Sequence, residues 1–154
     1  GEPFVRPRRD LGPRSAVTAL IDANVLVGLL LADTAREAES VALLRRHPGL
    51  RHVLAPQSCY EAYVVLTRPA SANGLDVSPS EAEDRVRRLS SVTEVLPDPS
   101  DLLVRWLDLC KRHAVQGKSA HDARLAAWAH ADGVRAILTL NPGDFVRYGL
   151  VVLS

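Results

Sequence analysis

TALIDANVLVGLLL, residues 18–31, decides how the rest of the chain is read. Four residues ending in Ala-Leu-Ile run straight into Asp22, and after Ala23-Asn24 a second apolar run extends from Val25 to Ala32. The first segment reads as a buried strand, Val17–Ile21, and the second as an apolar helix, Asn24–Leu31. A strand passing into a helix through a single carboxylate is the opening of a parallel α/β unit.

The pattern repeats outward from there. Thr34-Ala-Arg-Glu37 has capping-box spacing and opens a helix that Pro48-Gly49 stops near His47. Arg51–Ala55 is a second strand, and Pro56 starts a helix that Pro69 ends. After a loop over Ala70–Val77, Ser78-Pro-Ser-Glu81 caps a charged helix to Ser91, and Thr93–Leu96 is a third strand. Helices are predicted over Pro99–His113 and Ala120–Ala131, with strands over Arg135–Leu140 and Leu150–Leu153. Strands separated by one or two helices imply a three-layer α/β/α sandwich with a mostly parallel central sheet. In such folds ligands sit beyond the carboxyl ends of the strands, where the strand order reverses.

The chain has 154 residues, 47% of them apolar and 24% charged, which suits one globular domain and excludes full disorder. With 19 basic against 18 acidic residues, any nucleic-acid contact must come from local charge. Residues 1–16 carry no apolar period and are expected to form a flexible basic arm, linker or appended remnant; the folded domain is expected over 17–154. Cys59 and Cys110 lie in apolar helical patterns without metal-ligand spacing, which predicts buried thiols in a reducing cytoplasm. No apolar run approaches the ~20 residues of a membrane span, and no basic-then-apolar leader opens the chain.

Four acidic residues resist a plain surface explanation. Asp22 stands at the carboxyl edge of a strand, where it can cap a helix or serve chemistry. Glu61, in PQSCYEAYVVL, has Val64 and Val65 as helical neighbours, although Gln57 and Ser58 one turn earlier leave room for a wet edge. Asp122 follows Ser119 at capping-box spacing, yet its neighbours Leu125, Ala126 and Ala129 are small and apolar. Asp144, in NPGDF, belongs to a turn-rich segment just past the fourth strand, on the same rim as Asp22. Carboxylates gathered on one rim repel unless a cation or proton neutralises them. An all-oxygen donor set suits Mg²⁺ or Mn²⁺ rather than structural zinc, and such an ion activates phosphodiester hydrolysis. The five histidines show no pairwise metal spacing, and there is no Gly-rich phosphate loop or GxSxG elbow.

Taken in order, TALIDANVLVGLL, PQSCYEAYVVLTRP and SAHDARLAAWAHADGVRAILTLNPGDF resemble the PIN domain, and within that class the VapC-type ribonuclease toxins of bacterial toxin–antitoxin pairs. The resemblance covers Thr18 to Ser154, with acidic positions 39, 61 and 22 residues apart. It implies a PIN-like fold and a Mg²⁺- or Mn²⁺-dependent endoribonuclease whose RNA products carry a 5′-phosphate and a 3′-hydroxyl. It also implies a homodimer and inhibition by a cognate antitoxin protein. The family's catalytic, metal-ligating quartet carries over to Asp22, Glu61, Asp122 and Asp144. Asn24 and Thr139 match polar positions that can orient carboxylates or waters. Ala23 stands where the family usually has Thr or Ser. Asn141 replaces a further acid, so the fourth corner rests on Asp144 and one tightly held ion is favoured over two. Arg68, Lys118, Arg124 and Arg147 are candidates for phosphate contacts. The apolar stretches Val25–Leu31 and Tyr60–Leu66 are candidates for the dimer surface. The competing readings are a catalytically silent PIN module that binds RNA or a protein, and a structure-specific DNA nuclease.

Overall fold

β1 (Thr18–Ile21) is the central strand of a five-stranded sheet in a computed structural model that describes residues 17–154. The arm expected over residues 1–16 lies outside the described residues. β2 (Arg51–Leu54) and β3 (Glu94–Val95) lie on one side of β1, and β4 (Ala136–Leu138) and β5 (Val151–Leu153) on the other. Every neighbouring pair is parallel, with Leu20 opposite Val53 on one side and Ile137 on the other. The chain steps from β1 to β2 to β3, then returns to add β4 beside β1. The strand order therefore reverses between β1 and β4, and the crevice beyond their carboxyl ends is where such folds bind ligands.

Helices cover both faces of the sheet. α1 (Ala23–Leu29), α2 (Ala35–Arg46) and α3 (Pro56–Thr67) share a core with Ala19, Ile21, Leu54, Ala136 and Leu138. α5 (Leu102–Arg112) and α6 (Ser119–Ala131) share the other core with Leu20, Val53 and Ile137. Residues alternate between the two cores along each strand because successive strand side chains point to opposite faces. Burial on both faces is why β1 and β4 read as unbroken apolar runs. Trp128 and Phe145 are the largest fully buried side chains, both in the α5–α6 core. α4 (Pro79–Val92) packs on α3 and buries only Ala82.

Local chemistry sets the helix ends. Thr34 Oγ1 accepts from the Glu37 amide at 3.2 Å, and Ser78 Oγ accepts from Glu81 at the same distance. Pro56 occupies the first turn of α3, where its missing N–H costs nothing. α5 begins at Leu102, three residues later than its apolar period predicts, because Pro99–Asp101 is spent in a turn. Gly28 lets α1 and α2 touch, since a Cβ there would lie 2.1 Å from Ser40 Oγ. Ser40 uses that proximity to donate to the Val25 carbonyl at 2.9 Å. Val25, Leu26 and Val27 are consequently buried inside the domain, while Leu29, Leu30 and Leu31, the rest of the candidate dimer stretch, are half-buried. Cys59 and Cys110 are free thiols, but half-buried rather than fully enclosed.

Candidate active site

Asp22 is the first residue past β1 and the N-cap of α1. Its Oδ1 accepts from the Ala23 amide at 2.8 Å, and its Oδ2 accepts from the Thr139 hydroxyl at 2.8 Å. Its own amide continues the β1–β4 ladder by donating to the Leu138 carbonyl. Asn24 braces the same corner: its Nδ2 donates to Thr139 Oγ1 at 3.4 Å, and its Oδ1 accepts from the Leu140 amide. Thr139 is fully buried and also accepts from the Asn141 amide. Asp22 is therefore both cap and braced carboxylate. Burial pushes its pKa up to about 6; the Thr139 and Ala23 donors pull the other way, and the charges of Glu61 and Asp144 add to the rise.

Glu61 lies in α3, half-buried. Gln57 and Ser58, one turn earlier, are buried, whereas Tyr60 and Val64 beside Glu61 are exposed, so Glu61 sits at the boundary between the core and solvent. Gln57 Nε2 donates to Glu61 Oε1 at 2.8 Å and to the His121 carbonyl of α6 at 2.8 Å. Gln57 Oε1 accepts from Arg124 Nη1 at 2.7 Å, and Arg124 Nη2 pairs with Asp98 at 2.8 Å. The sequence reading missed Gln57 as a member of this site. The available signal was its place four residues before Glu61 at a proline-initiated helix start, where i and i+4 share a face.

Asp122 stands in the first turn of α6, and the capping box predicted with Ser119 does not form. Lys118 takes the N-cap position with helical backbone, and Ser119 lies inside the helix without a capping bond. Among the described residues no donor bonds the Asp122 carboxylate. Burial first, and then the charges of Asp144, Asp22 and Glu61, raise its pKa to about 7 against the opposing charge of Arg147. Asp144 closes the short 3₁₀ turn Pro142–Asp144 and is exposed.

The four acids thus come from the end of β1, the second turn of α3, the first turn of α6 and the 3₁₀ turn after β4, and their charges reach Asp22 and Asp122. They do not share one point: among the described residues no three His, Cys, Asp or Glu side chains close into a ready-made metal shell. The fit to a cation lies in the donor chemistry, four carboxylate groups whose mutual repulsion a hard divalent ion relieves. Of the basic candidates, Arg124 is committed to Gln57 and Asp98, and Arg68 bonds the Asn73 carbonyl. Lys118 and Arg147 are exposed. Arg147 also lines a cleft of about 540 Å³ with Arg105, Arg112, His113, His130 and Tyr148, which contains none of the four acids.

A family profile described as the PIN domain matches residues 19–150. No curated protein sequence matches the chain. Among solved structures, VapC20 of Mycobacterium tuberculosis, described as a sarcin–ricin loop cleaving toxin, is 20% identical. Its TM-score is 0.57 over 77% of this chain and 86% of that one. VapBC2 from Rickettsia felis, bound to a promoter DNA fragment, is 13% identical with a TM-score of 0.62, covering 88% and 97% of the two chains. A toxin–antitoxin complex from Klebsiella pneumoniae is 20% identical with a TM-score of 0.58, covering 88% and 96%. At these identities the likeness is one of fold.

Proposed function

This chain belongs to the PIN-domain family, and on that premise we propose that it is a Mg²⁺- or Mn²⁺-dependent endoribonuclease, the toxin of a toxin–antitoxin pair. The observation that carries the reading is the set of acids near the switch between β1 and β4: Asp22 feels the charges of Glu61 and Asp144, and Asp122 those of Asp144, Asp22 and Glu61. An acidic centre costs stability in an isolated domain, and a cation-dependent reaction on a polyanion gives that cost a use.

In this reading Asp22, Glu61 and Asp122 hold the ion and Asp144 completes the site. When bound, the ion polarises a phosphoryl oxygen and lowers the pKa of an attacking water. The chain's own residues supply the positioning. Thr139 and the Ala23 amide fix both oxygens of Asp22, and each oxygen keeps a further lone pair for a cation. Asn24 in turn fixes Thr139. Arg147, whose charge reaches Asp122, and Lys118, at the start of the same helix as Asp122, are exposed cations that suit phosphates beside the cut.

Incubating RNA and DNA of matched sequence with Mg²⁺, Mn²⁺ or EDTA tests the reading. RNA cleavage that EDTA abolishes is expected. DNA cleavage instead would make it a DNA nuclease, and RNA binding without cleavage a silent module.

A homodimer is part of the proposal. Tyr60, Tyr63 and Val64 on α3 and Leu103, Val104 and Leu107 on α5 are exposed apolar residues on a domain whose interior is otherwise well filled. Light scattering at micromolar concentration should report twice 16.7 kDa; a monomer across that range removes the dimer and leaves the nuclease standing. An antitoxin fits the acidic rim through an arginine that competes with the ion for the carboxylates.

A further inference from the structure

We propose that Gln57 is a positioning residue whose side-chain amide clamps Glu61 to the backbone beside Asp122, with Arg124 setting the amide's orientation. The inference rests on the nuclease reading for its effect on catalysis, and on hydrogen bonds alone for the clamp itself.

The amide has two N–H donors and one carbonyl acceptor, and every one is matched. Nε2 donates to Glu61 Oε1 and to the His121 carbonyl, both at 2.8 Å, while Oε1 accepts from Arg124 Nη1 at 2.7 Å. The reversed amide would set its oxygen against a carboxylate and a carbonyl, and its N–H₂ against a guanidinium. All three contacts would then be repulsive, so the orientation is fixed by its partners. Asp98 anchors Arg124 at 2.8 Å from the loop before α5. Gln57 is only 6% exposed, so water offers its amide no alternative partners.

The consequence concerns two acids on two helices. Glu61 belongs to α3, and its charge reaches both Asp22 and Asp122, so the three carboxylates repel one another when ionised. Gln57 ties Glu61 to the carbonyl of His121, whose next residue is Asp122. One amide thereby sets the separation between Glu61 and the first turn of α6, against electrostatic repulsion. Partners that orient metal-binding groups matter by about 10–100-fold in affinity or activity in other sites.

The test uses the full chain with Gln57→Leu, which keeps the volume and removes the three bonds, and Arg124→Gln, which spares the buried amide. The carboxyl ¹³C resonance of Glu61 reads the clamp without metal or RNA, and should move in both variants but not in the surface control Glu81→Gln. Mn²⁺ titration should show roughly tenfold weaker binding, and kcat on RNA should fall by a similar factor with KM unchanged. In a Glu61→Gln background Gln57→Leu should add almost nothing, because a residue that acts through Glu61 has nothing left to position. An unmoved Glu61 resonance overturns the clamp. A full additive loss in the Glu61→Gln background makes Gln57 merely structural and overturns the positioning role. A wild-type chain that neither binds Mn²⁺ nor cuts RNA defeats the nuclease reading, while the resonance still decides the clamp. Should Gln57→Leu fail to fold, Arg124→Gln carries the same measurements.

Discussion

Asp22 and Asp122 stand near the starts of two helices, α1 and α6, and in sequence both pass for caps. Only Asp22 is one. Its oxygens are held by an amide and a hydroxyl, so although it is the more deeply buried acid its pKa rises only to about 6. Asp122 caps nothing, has no donor among the described residues, and rises to about 7. The pair separates two ways of keeping a carboxylate in a protein: one is spent on holding the fold, the other is tolerated at a cost. Of the two, Asp122 has most to gain from a cation.

The largest test of that contrast is catalytic. Asp22→Asn and Asp122→Asn should each lower RNA cleavage at least ~100-fold, equal to about 2.7 kcal/mol of transition-state stabilisation. Cleavage by Asp122→Asn at the wild-type rate would return that acid to a structural role. Next in size is cation binding. A ligand at ~100 times its Kd adds about 2.7 kcal/mol, several degrees of Tm at this length. Because protons on Asp22 and Asp122 compete with the ion, Mn²⁺ affinity should climb between pH 5.5 and 7.5, as about 6 and about 7 require. Superimposed melting curves in Mn²⁺ and in EDTA would count against the site.

A smaller effect concerns stability without metal. Both pKa values lie above the unfolded 3.8, so the folded chain binds these protons more tightly. Their contribution is favourable below pH 4 and is lost as pH rises through about 6 for Asp22 and about 7 for Asp122. In EDTA, Asp122→Asn should match wild type near pH 4 and melt higher at pH 7.5. The gain should be roughly 2–4 °C, the size about 1 kcal/mol gives here after discounting for half-burial. An equal or lower Tm at pH 7.5 would contradict the raised pKa. The smallest contrast lies in the supports. Thr139→Val strips Asp22 of a buried donor and should cost about 1–3 kcal/mol in chemical denaturation. Ser119→Ala should stay within about 0.5 kcal/mol, where a working cap would cost about 1.

The fold was legible because its signals are local. Apolar runs of strand length, Pro56, the Thr34 and Ser78 caps and the glycine breaks each state their structure within a few residues, and the parallel sheet follows from their alternation. The places of the four acids relative to those elements were legible, and their joint role in a metal centre is the proposal made above. Gln57 was not, because its importance comes from His121 and Arg124, more than sixty residues away in sequence. Ser119 misled for the converse reason: its spacing to Asp122 is right for a capping box, but the helix already runs through it from Lys118. Within Val25–Leu31 the sequence could not separate the part that α2 covers, Val25–Val27, from the half-buried Leu29–Leu31, because an apolar run does not say what buries it.

The central place of β1 also has a temporal side. β1 leaves the ribosome before β4, and the hydroxyl that braces Asp22 follows 117 residues behind it. At ~5–20 residues per second, that interval is on the order of ten seconds of synthesis. Until β4 emerges and slots in beside β1, Asp22 has no Thr139 and the crevice has only one wall. The proposed nuclease centre therefore lacks Asp122, Asp144 and the Thr139 brace until the second half of this domain has been made.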